Sequence, residues 1–87
     1  MYKAWFSKKA WFSKPVPVST GIAGGIRNLS NAEQAVELLT NHWRDGGSVK
    51  HQAALRACRQ AMNGGISADI ARDAFVEAAR EARILVE

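Results

Sequence analysis

The sequence has little that would support an extracellular, membrane-spanning or multi-cysteine protein. It holds one cysteine, Cys58, in 87 residues, so it can form neither an intrachain disulfide nor a zinc site with several cysteines. Its apolar runs near the N-terminus are far shorter than a membrane span or the core of a signal peptide. We therefore expect one small cytoplasmic domain with a single hydrophobic core, too small for an active-site cleft between domains.

Acidic residues are absent before Glu33. Residues 1–14 carry four lysines and no acid, whereas residues 15–87 hold eight basic and eight acidic residues. The formal net charge of +4 therefore belongs to the N-terminal segment, and the rest of the chain is neutral as a whole. Within that rest, residues 46–63 are basic without an acid and the C-terminal part is mainly acidic. We expect these two segments of opposite sign to face each other.

A six-residue segment occurs twice in tandem near the N-terminus. Residues 3–8 and residues 9–14 share the sequence KAWFSK. The second copy leads into a stretch in which Phe12, Val16 and Val18 fall on one face at strand period. We therefore expect residues 1–10 to form a flexible N-terminal extension and residues 11–87 to form a single domain.

The two prolines of the chain indicate how this first strand is used. Pro15 and Pro17 lie two residues apart, so their backbones face the same side of the strand. Neither has an N–H group to offer to a neighbouring strand on that side. We expect that side to be unable to pair, which makes this an edge strand and disfavours strand addition there. The glycine-rich residues 21–25 predict a turn, and residues 26–29 predict a returning strand.

Three helices are predicted after this hairpin. Ser30 and Glu33 have the spacing of a capping box at the start of the first helix, and Ser48 and the position after Ser67 are predicted to open the second and third. The apolar stripes are Ala32, Ala35, Val36, Leu39 and Trp43 in the first helix, His51, Leu55, Cys58 and Met62 in the second, and Ala71, Ala74, Phe75, Ala78, Ala82 and Leu85 in the third. The predicted fold class is α+β, with an N-terminal antiparallel β-hairpin followed by three α-helices packed as one small domain.

The order and spacing of several segments resemble a family of small alphaproteobacterial proteins, domain of unknown function 982, over about residues 11–87. The residues that carry the resemblance are Trp11 with Pro15 and Val16, the helix start at residues 30–33 with Ala35, Leu38 and Leu39, then Trp43, and the runs 54–58 and 71–82. The resemblance implies no activity, cofactor or catalytic residue, because the family has none established. His51 stands where the family usually has an aromatic residue, and the copy at residues 3–8 is additional.

Few residues of the chain could take part in catalysis or metal binding, and they lie far apart in the sequence. Seven helical positions separate His51 from Cys58, which places them about 10 Å apart, beyond the reach of a nucleophile and its base. We expect Cys58 to be a small buried hydrophobe and His51 to replace an aromatic side chain at the edge of the core. His42 and His51 have no third metal ligand at motif spacing. The sequence thus predicts no catalytic residue, metal or cofactor, and an enzyme would require a small polar pocket at His42 or His51.

Acidic side chains form a line along the third helix. The four acids recur at steps of four residues: Asp69, Asp73, Glu77 and Glu81. Arg72 and Arg80 are interleaved with them, which indicates a solvated ion-pair face unless the line meets the basic side of another helix. A helix-turn-helix built from the second and third helices is disfavoured, since these acids would approach DNA phosphates.

Two function classes remain open from the sequence. The first is a non-catalytic interaction or regulatory module that binds an unknown protein partner or a second copy of itself, with Val49 and Val76 as candidate interface residues outside the apolar stripes. The alternative is a binder of nucleic acid or an anionic surface, because lysines neutralise phosphates and aromatic rings stack on unpaired bases. Its candidate contacts are Lys3, Lys8, Lys9, Trp11, Lys14, Arg56 and Arg59.

Overall fold

A computed structural model describes residues 9–19, 25–41, 43 and 47–86. In chain order the elements are β1 (Trp11–Ser19), β2 (Ile26–Asn31), α1 (Ala32–Asn41), α2 (Val49–Met62) and α3 (Ala68–Glu81). The two strands pair antiparallel in one sheet. The predicted α+β class, a hairpin followed by three helices, is confirmed. None of the helices in these ranges has the length and apolar character that crossing a membrane requires.

One face of β1 supplies the sheet side of the core. Phe12, Val16 and Val18 are buried, as the alternation predicted, and Leu29 lies opposite Val16 on β2. The register between the strands shifts between Trp11 and Val16. Because of this irregularity, the exposed residues 13–15 lie outside the regular ladder.

The chain just before β1 is tied to the start of α1. The carbonyl oxygen of Lys9 accepts from the backbone N–H of Ala32 at 2.9 Å and of Glu33 at 3.3 Å. Ala10 is buried and has a φ of 54°. These last two residues of the expected extension therefore contact the domain, and residues 1–8 lie outside the described residues.

The first helix starts one residue later than predicted. Asn31 Oδ1 accepts from the backbone N–H of Gln34 at 2.8 Å, and Gln34 Oε1 accepts from the backbone N–H of Ser30 at 2.7 Å. The predicted pair of Ser30 and Glu33 is therefore wrong, because the exchange is made one position further along. Serine and asparagine are both favoured N-caps, so the three-residue spacing alone did not separate the two registers.

The second and third helices begin as predicted. Ser48 Oγ accepts from the backbone N–H of His51 at 3.0 Å, and Ser67 Oγ accepts from that of Ile70 at 3.2 Å. The buried side of α2 consists of His51, Ala54, Cys58 and Ala61, and that of α3 of Ala71, Phe75, Ala78 and Ala79. Since most of these side chains are small, the two helices can approach closely.

Residues outside the helices complete the core. α1 ends at Asn41, so Trp43, predicted on the apolar stripe of this helix, lies beyond it. Trp43 is half-buried, and its ring meets the ring of Phe75 edge-on at 5.8 Å between centroids. Leu85, predicted on the stripe of α3, likewise lies beyond the helix and packs on the core from there.

After α3 the chain returns to the sheet. Ile84 O accepts from the backbone N–H of Ser19 at 2.7 Å, the N–H of Val86 donates to Pro17 O at 3.0 Å, and Val18 and Leu85 form a bridge. The side of β1 that carries the prolines does pair, so the prediction that it cannot is wrong. The added segment uses the carbonyl of Pro17 and the N–H of Ser19, and therefore needs no N–H from a proline.

Candidate binding face on the second helix

The outer side of α2 forms a shallow depression of about 300 Å³. The residues that line it come from α2 and its C-cap: Gln52, Leu55, Arg56, Arg59, Gln60 and Asn63. All of them are exposed except Leu55, which is half-buried. The depression therefore combines two guanidinium groups and three amides with one apolar side chain at its base.

The charge on this face has one sign. The sequence of α2 contains no acid, and within the described ranges neither Arg56 nor Arg59 takes part in an ion pair. A guanidinium group can hold a carboxylate or a phosphate through two parallel hydrogen bonds. The face therefore offers two such donors, one helical turn apart, to an anionic group from outside the chain.

Both ends of α2 are fixed by hydrogen bonds. Ser48 caps the start. At the other end the N–H of Gly65 donates to Gln60 O at 2.8 Å and that of Gly64 to Ala61 O at 3.0 Å, the bond pattern of a Schellman motif. Gly64 adopts the positive φ, 83°, that this motif requires. The face is therefore presented by a helix with ordered ends.

The imidazole of His51 joins the end of α1 to the start of α2. Nε2 lies 2.8 Å from Leu39 O, and Nδ1 lies 3.3 Å from the backbone nitrogen of Gly47. Because an N–H can only donate, Nδ1 accepts from Gly47, which assigns the proton of the neutral ring to Nε2. The Trp43 ring lies 5.7 Å away between centroids. Both ring nitrogens are therefore engaged within the fold.

Cys58 is fully buried, as predicted. Burial raises the pKa of its thiol to about 12, so the thiol stays neutral near pH 7. His42 lies outside the described residues. Within the part of the chain that the structure describes, no three His, Cys, Asp or Glu side chains are close enough to hold a metal ion. The absence of a metal or cofactor remains a prediction.

The acidic line of α3 is largely engaged, and the predicted ion-pair face is confirmed only in part. Arg80 pairs with Glu77, whereas Arg72 bonds to a backbone carbonyl of β1. Glu77 lies 3.6 Å from Lys50 Nζ of α2 and 3.0 Å from Arg80. Glu81 accepts from Ser48 Oγ at 2.7 Å. The segments of opposite sign thus meet where α2 begins, as the charge pattern predicted.

Asp69 and Arg72 of α3 hold the irregular part of β1. Asp69 Oδ1 accepts from the backbone N–H of Ser13 at 2.9 Å, and Arg72 Nε donates to Lys14 O at 2.8 Å. We name these two bonds the α3 clamp. Hydrogen bonds from the backbone and side chain of Ser13, and more weakly the charge of Arg72, hold the pKa of Asp69 below its usual value. Helical spacing placed Asp69 on the acidic line but did not reveal its bond to Ser13 on β1.

The other predicted anion contacts lie away from α2. Trp11 is 58% exposed, and Lys9 Nζ lies 5.8 Å from the centroid of its ring. Lys14 is exposed on β1. β1 packs mainly on β2 and α3, whereas α2 packs mainly on α1 and α3. The structure therefore does not join these residues to Arg56 and Arg59, and Lys3 and Lys8 lie outside the described residues.

Residues 14–86 match the model of a protein family described as of unknown function, DUF982. This chain belongs to the DUF982 family. The match covers the whole of α2 and both of its packing partners. The family's description names no activity.

A solved structure with a similar fold comes from Agrobacterium tumefaciens. Its protein Atu1219, a structural genomics target solved by NMR, shares 32% sequence identity with this chain. The two structures superpose with a TM-score of 0.76. The alignment covers 100% of this chain and 86% of the other. A comparison with curated proteins finds no match.

The two candidate interface residues differ in exposure in this DUF982 domain. Val49, in the first turn of α2, is 84% exposed. Val76 is half-buried against the core. Val49 thus exposes the larger apolar surface, and both residues stay candidates for an interface.

Proposed function

We propose that this DUF982 protein is a non-catalytic binding module, and that the outer face of α2 binds an acidic segment of a partner protein. The observation that carries the proposal is the pair Arg56 and Arg59, which are exposed on a helix without acids and form no ion pair among the described residues. By contrast, the salt bridges of Arg27 and Lys50 are made within the chain.

The positions of His51 and Cys58 support a non-catalytic role. Both nitrogens of His51 are engaged by backbone groups, and the thiol of Cys58 is buried and neutral. A general base needs a free nitrogen, and the reactive form of cysteine is the thiolate. A buried free thiol is also consistent with the reducing cytoplasm that we propose as the location.

The neighbouring charges favour a protein partner over nucleic acid. Glu77 and Glu81 of α3 bond to Lys50 and Ser48 at the start of α2. A duplex laid along the whole helix would bring its phosphates towards these carboxylates, whereas a short acidic segment can contact Arg56 and Arg59 alone. Nucleic-acid binding also rests on many phosphate contacts. Two arginines suit two carboxylates of a peptide, while Gln52, Gln60 and Asn63 offer donors and acceptors to its backbone.

Fluorescence anisotropy tests the proposal with two labelled probes. One is an amphipathic helical peptide rich in glutamate, and the other is a set of single- and double-stranded DNA and RNA oligonucleotides, each titrated across a salt series. Arg56→Gln with Arg59→Gln should weaken peptide binding at least tenfold. The matched control, Lys9→Gln with Lys14→Gln, removes the same charge from β1 and the residues just before it, and should leave peptide binding unchanged.

Three outcomes contradict the proposal. Peptide binding that both double variants weaken equally would reflect net charge alone. Oligonucleotide binding that is tighter than peptide binding and falls steeply with salt would assign the protein to the nucleic-acid class. The absence of binding to the glutamate-rich peptide would remove the acidic-segment hypothesis.

Self-association is the second candidate, favoured by the exposure of Val49. If two copies contact each other around this residue, light scattering at high micromolar concentration should show a dimer. The variant Val49→Asp should then be monomeric at the same concentration. A monomeric mass at that concentration would exclude it.

A further inference from the structure

We propose that residues 84–86 form an exchangeable strand, and that two copies of this chain make a swapped dimer in which each copy's segment pairs with β1 of the other. This exchange takes place at the C-terminal end of the fold and does not involve the α2 face. It also gives self-association a route that needs neither Val49 nor Val76.

The receiving surface is an edge of β1 that matches this segment. Two backbone hydrogen bonds and the bridge between Val18 and Leu85 hold it, and Ile84 and Leu85 pack on the core. Pro15 has no N–H to extend the pairing, so the edge accommodates only a short strand. Every copy carries the same edge and the same segment, so a second copy satisfies the same contacts.

The hinge between α3 and the segment is short and strained. α3 ends with Ala82 as its C-cap, and Arg83 follows with a φ of 62°. The N–H of Arg83 donates to Arg80 O at 3.1 Å and that of Ile84 to Ala79 O at 3.0 Å, which is the same motif that ends α2. There the corresponding position is Gly64, whereas an L-residue with a side chain is disfavoured in this conformation.

Opening the hinge removes this strain. If α3 continued as a helix through Arg83, the positive φ would disappear and the segment would point away from its own β1. Its contacts would then be remade on the second copy, so the exchange loses no pairing. Short hinges under strain favour domain swapping for this reason.

A disulfide trap tests the exchange. Ser19 and Ile84 are directly bonded through their backbones, so their Cα atoms lie within the range of about 4.4 to 6.8 Å that a disulfide bridges. The variant combines Ser19→Cys with Ile84→Cys in the full chain, and Cys58 is protected by burial. After incubation at low and high concentration and oxidation, non-reducing electrophoresis separates disulfides within one chain from those between two.

We expect disulfides between chains whose fraction rises with protein concentration. Adding Arg83→Gly, which suits the closed hinge, should reduce that fraction several-fold. Arg83→Ala removes the charge but keeps the side-chain carbon that causes the strain, and it should behave like the parent.

The other outcomes overturn the proposal. A disulfide only within chains at every concentration would show that the segment stays on its own strand. No disulfide would show that the segment does not pair with β1. A disulfide between chains that Arg83→Gly leaves unchanged would remove the hinge as its cause. None of these results depends on whether the α2 face binds an acidic peptide.

Discussion

Gly64 and Arg83 occupy the same position in two copies of one helix-ending motif. In both motifs the residue has a positive φ, and the next N–H donates to a carbonyl five residues back. Glycine adopts this conformation readily, whereas arginine adopts it at a cost of about 1 to 2 kcal/mol.

Reciprocal substitutions at these positions should therefore change the free energy of unfolding in opposite directions. We expect Arg83→Gly to raise it and Gly64→Ala to lower it, each by about 1 kcal/mol. A Cβ atom at Gly64 would meet nothing within 4 Å, so the second change isolates backbone strain. Urea denaturation monitored by circular dichroism measures both, and equal signs would contradict this explanation.

Replacing His51 should weaken the junction between α1 and α2. His51→Phe retains the aromatic contact with Trp43 but leaves Leu39 O and the N–H of Gly47 without their bonds to the ring. We expect a loss of about 1 to 3 kcal/mol in the free energy of unfolding, measured by urea denaturation. Unchanged stability would indicate that water replaces both bonds without cost.

The α3 clamp predicts that Asp69 contributes to the free energy of unfolding at neutral pH and that acid removes this contribution. Because the folded-state pKa of Asp69 lies below its usual value, its contribution is present above the unfolded-state pKa and is lost as the pH falls through the folded-state pKa. Asp69→Asn should therefore be less stable than the parent at neutral pH, and the difference should shrink towards acid pH. Asp73→Asn is the matched control, since Asp73 does not bond to Ser13. A pH-independent difference between the parent and Asp69→Asn would contradict the prediction.

The buried thiol of Cys58 predicts that the free energy of unfolding falls at alkaline pH. The pKa of its thiol is raised from 9.0 to about 12 by burial, so above about pH 9 the unfolded chain ionises and the folded one does not. Stability is then lost as the pH rises between these two values. Cys58→Ala should lose less stability than the parent over this range, in urea denaturation at several pH values. Rapid labelling of the native thiol by a disulfide reagent at neutral pH would contradict its burial.

The sequence predicts the elements better than their junctions. Ser48 and Ser67 identify their helix starts because each stands just before an apolar stripe. Asn31 was missed because Ser30 beside it is an equally good cap. The α3 clamp was missed because Asp69 bonds to a residue 56 positions away, and no local spacing encodes that distance. The positive φ of Arg83 could not be predicted either, because the residue at this position of a helix-ending motif is usually glycine.

The candidate binding face on α2 was likewise predicted only in part from the sequence. Helical spacing places Gln52, Arg56, Arg59 and Asn63 opposite the apolar stripe of α2, and all four are exposed. Their separation from Lys14 and Trp11 follows from which elements pack together, and a charge count cannot show it. The basic segments near residues 9 and 56 were one candidate site in the sequence and are two separate surfaces in the fold.

The α3 clamp has a consequence for synthesis of the chain. The N–H of Ser13 and the carbonyl of Lys14 obtain these partners from residues 56 and 58 positions later. On the ribosome, the first half of β1 therefore leaves the exit tunnel long before α3 can reach it. The irregular part of β1 is thus made early and receives these two hydrogen bonds only after α3 has been synthesised.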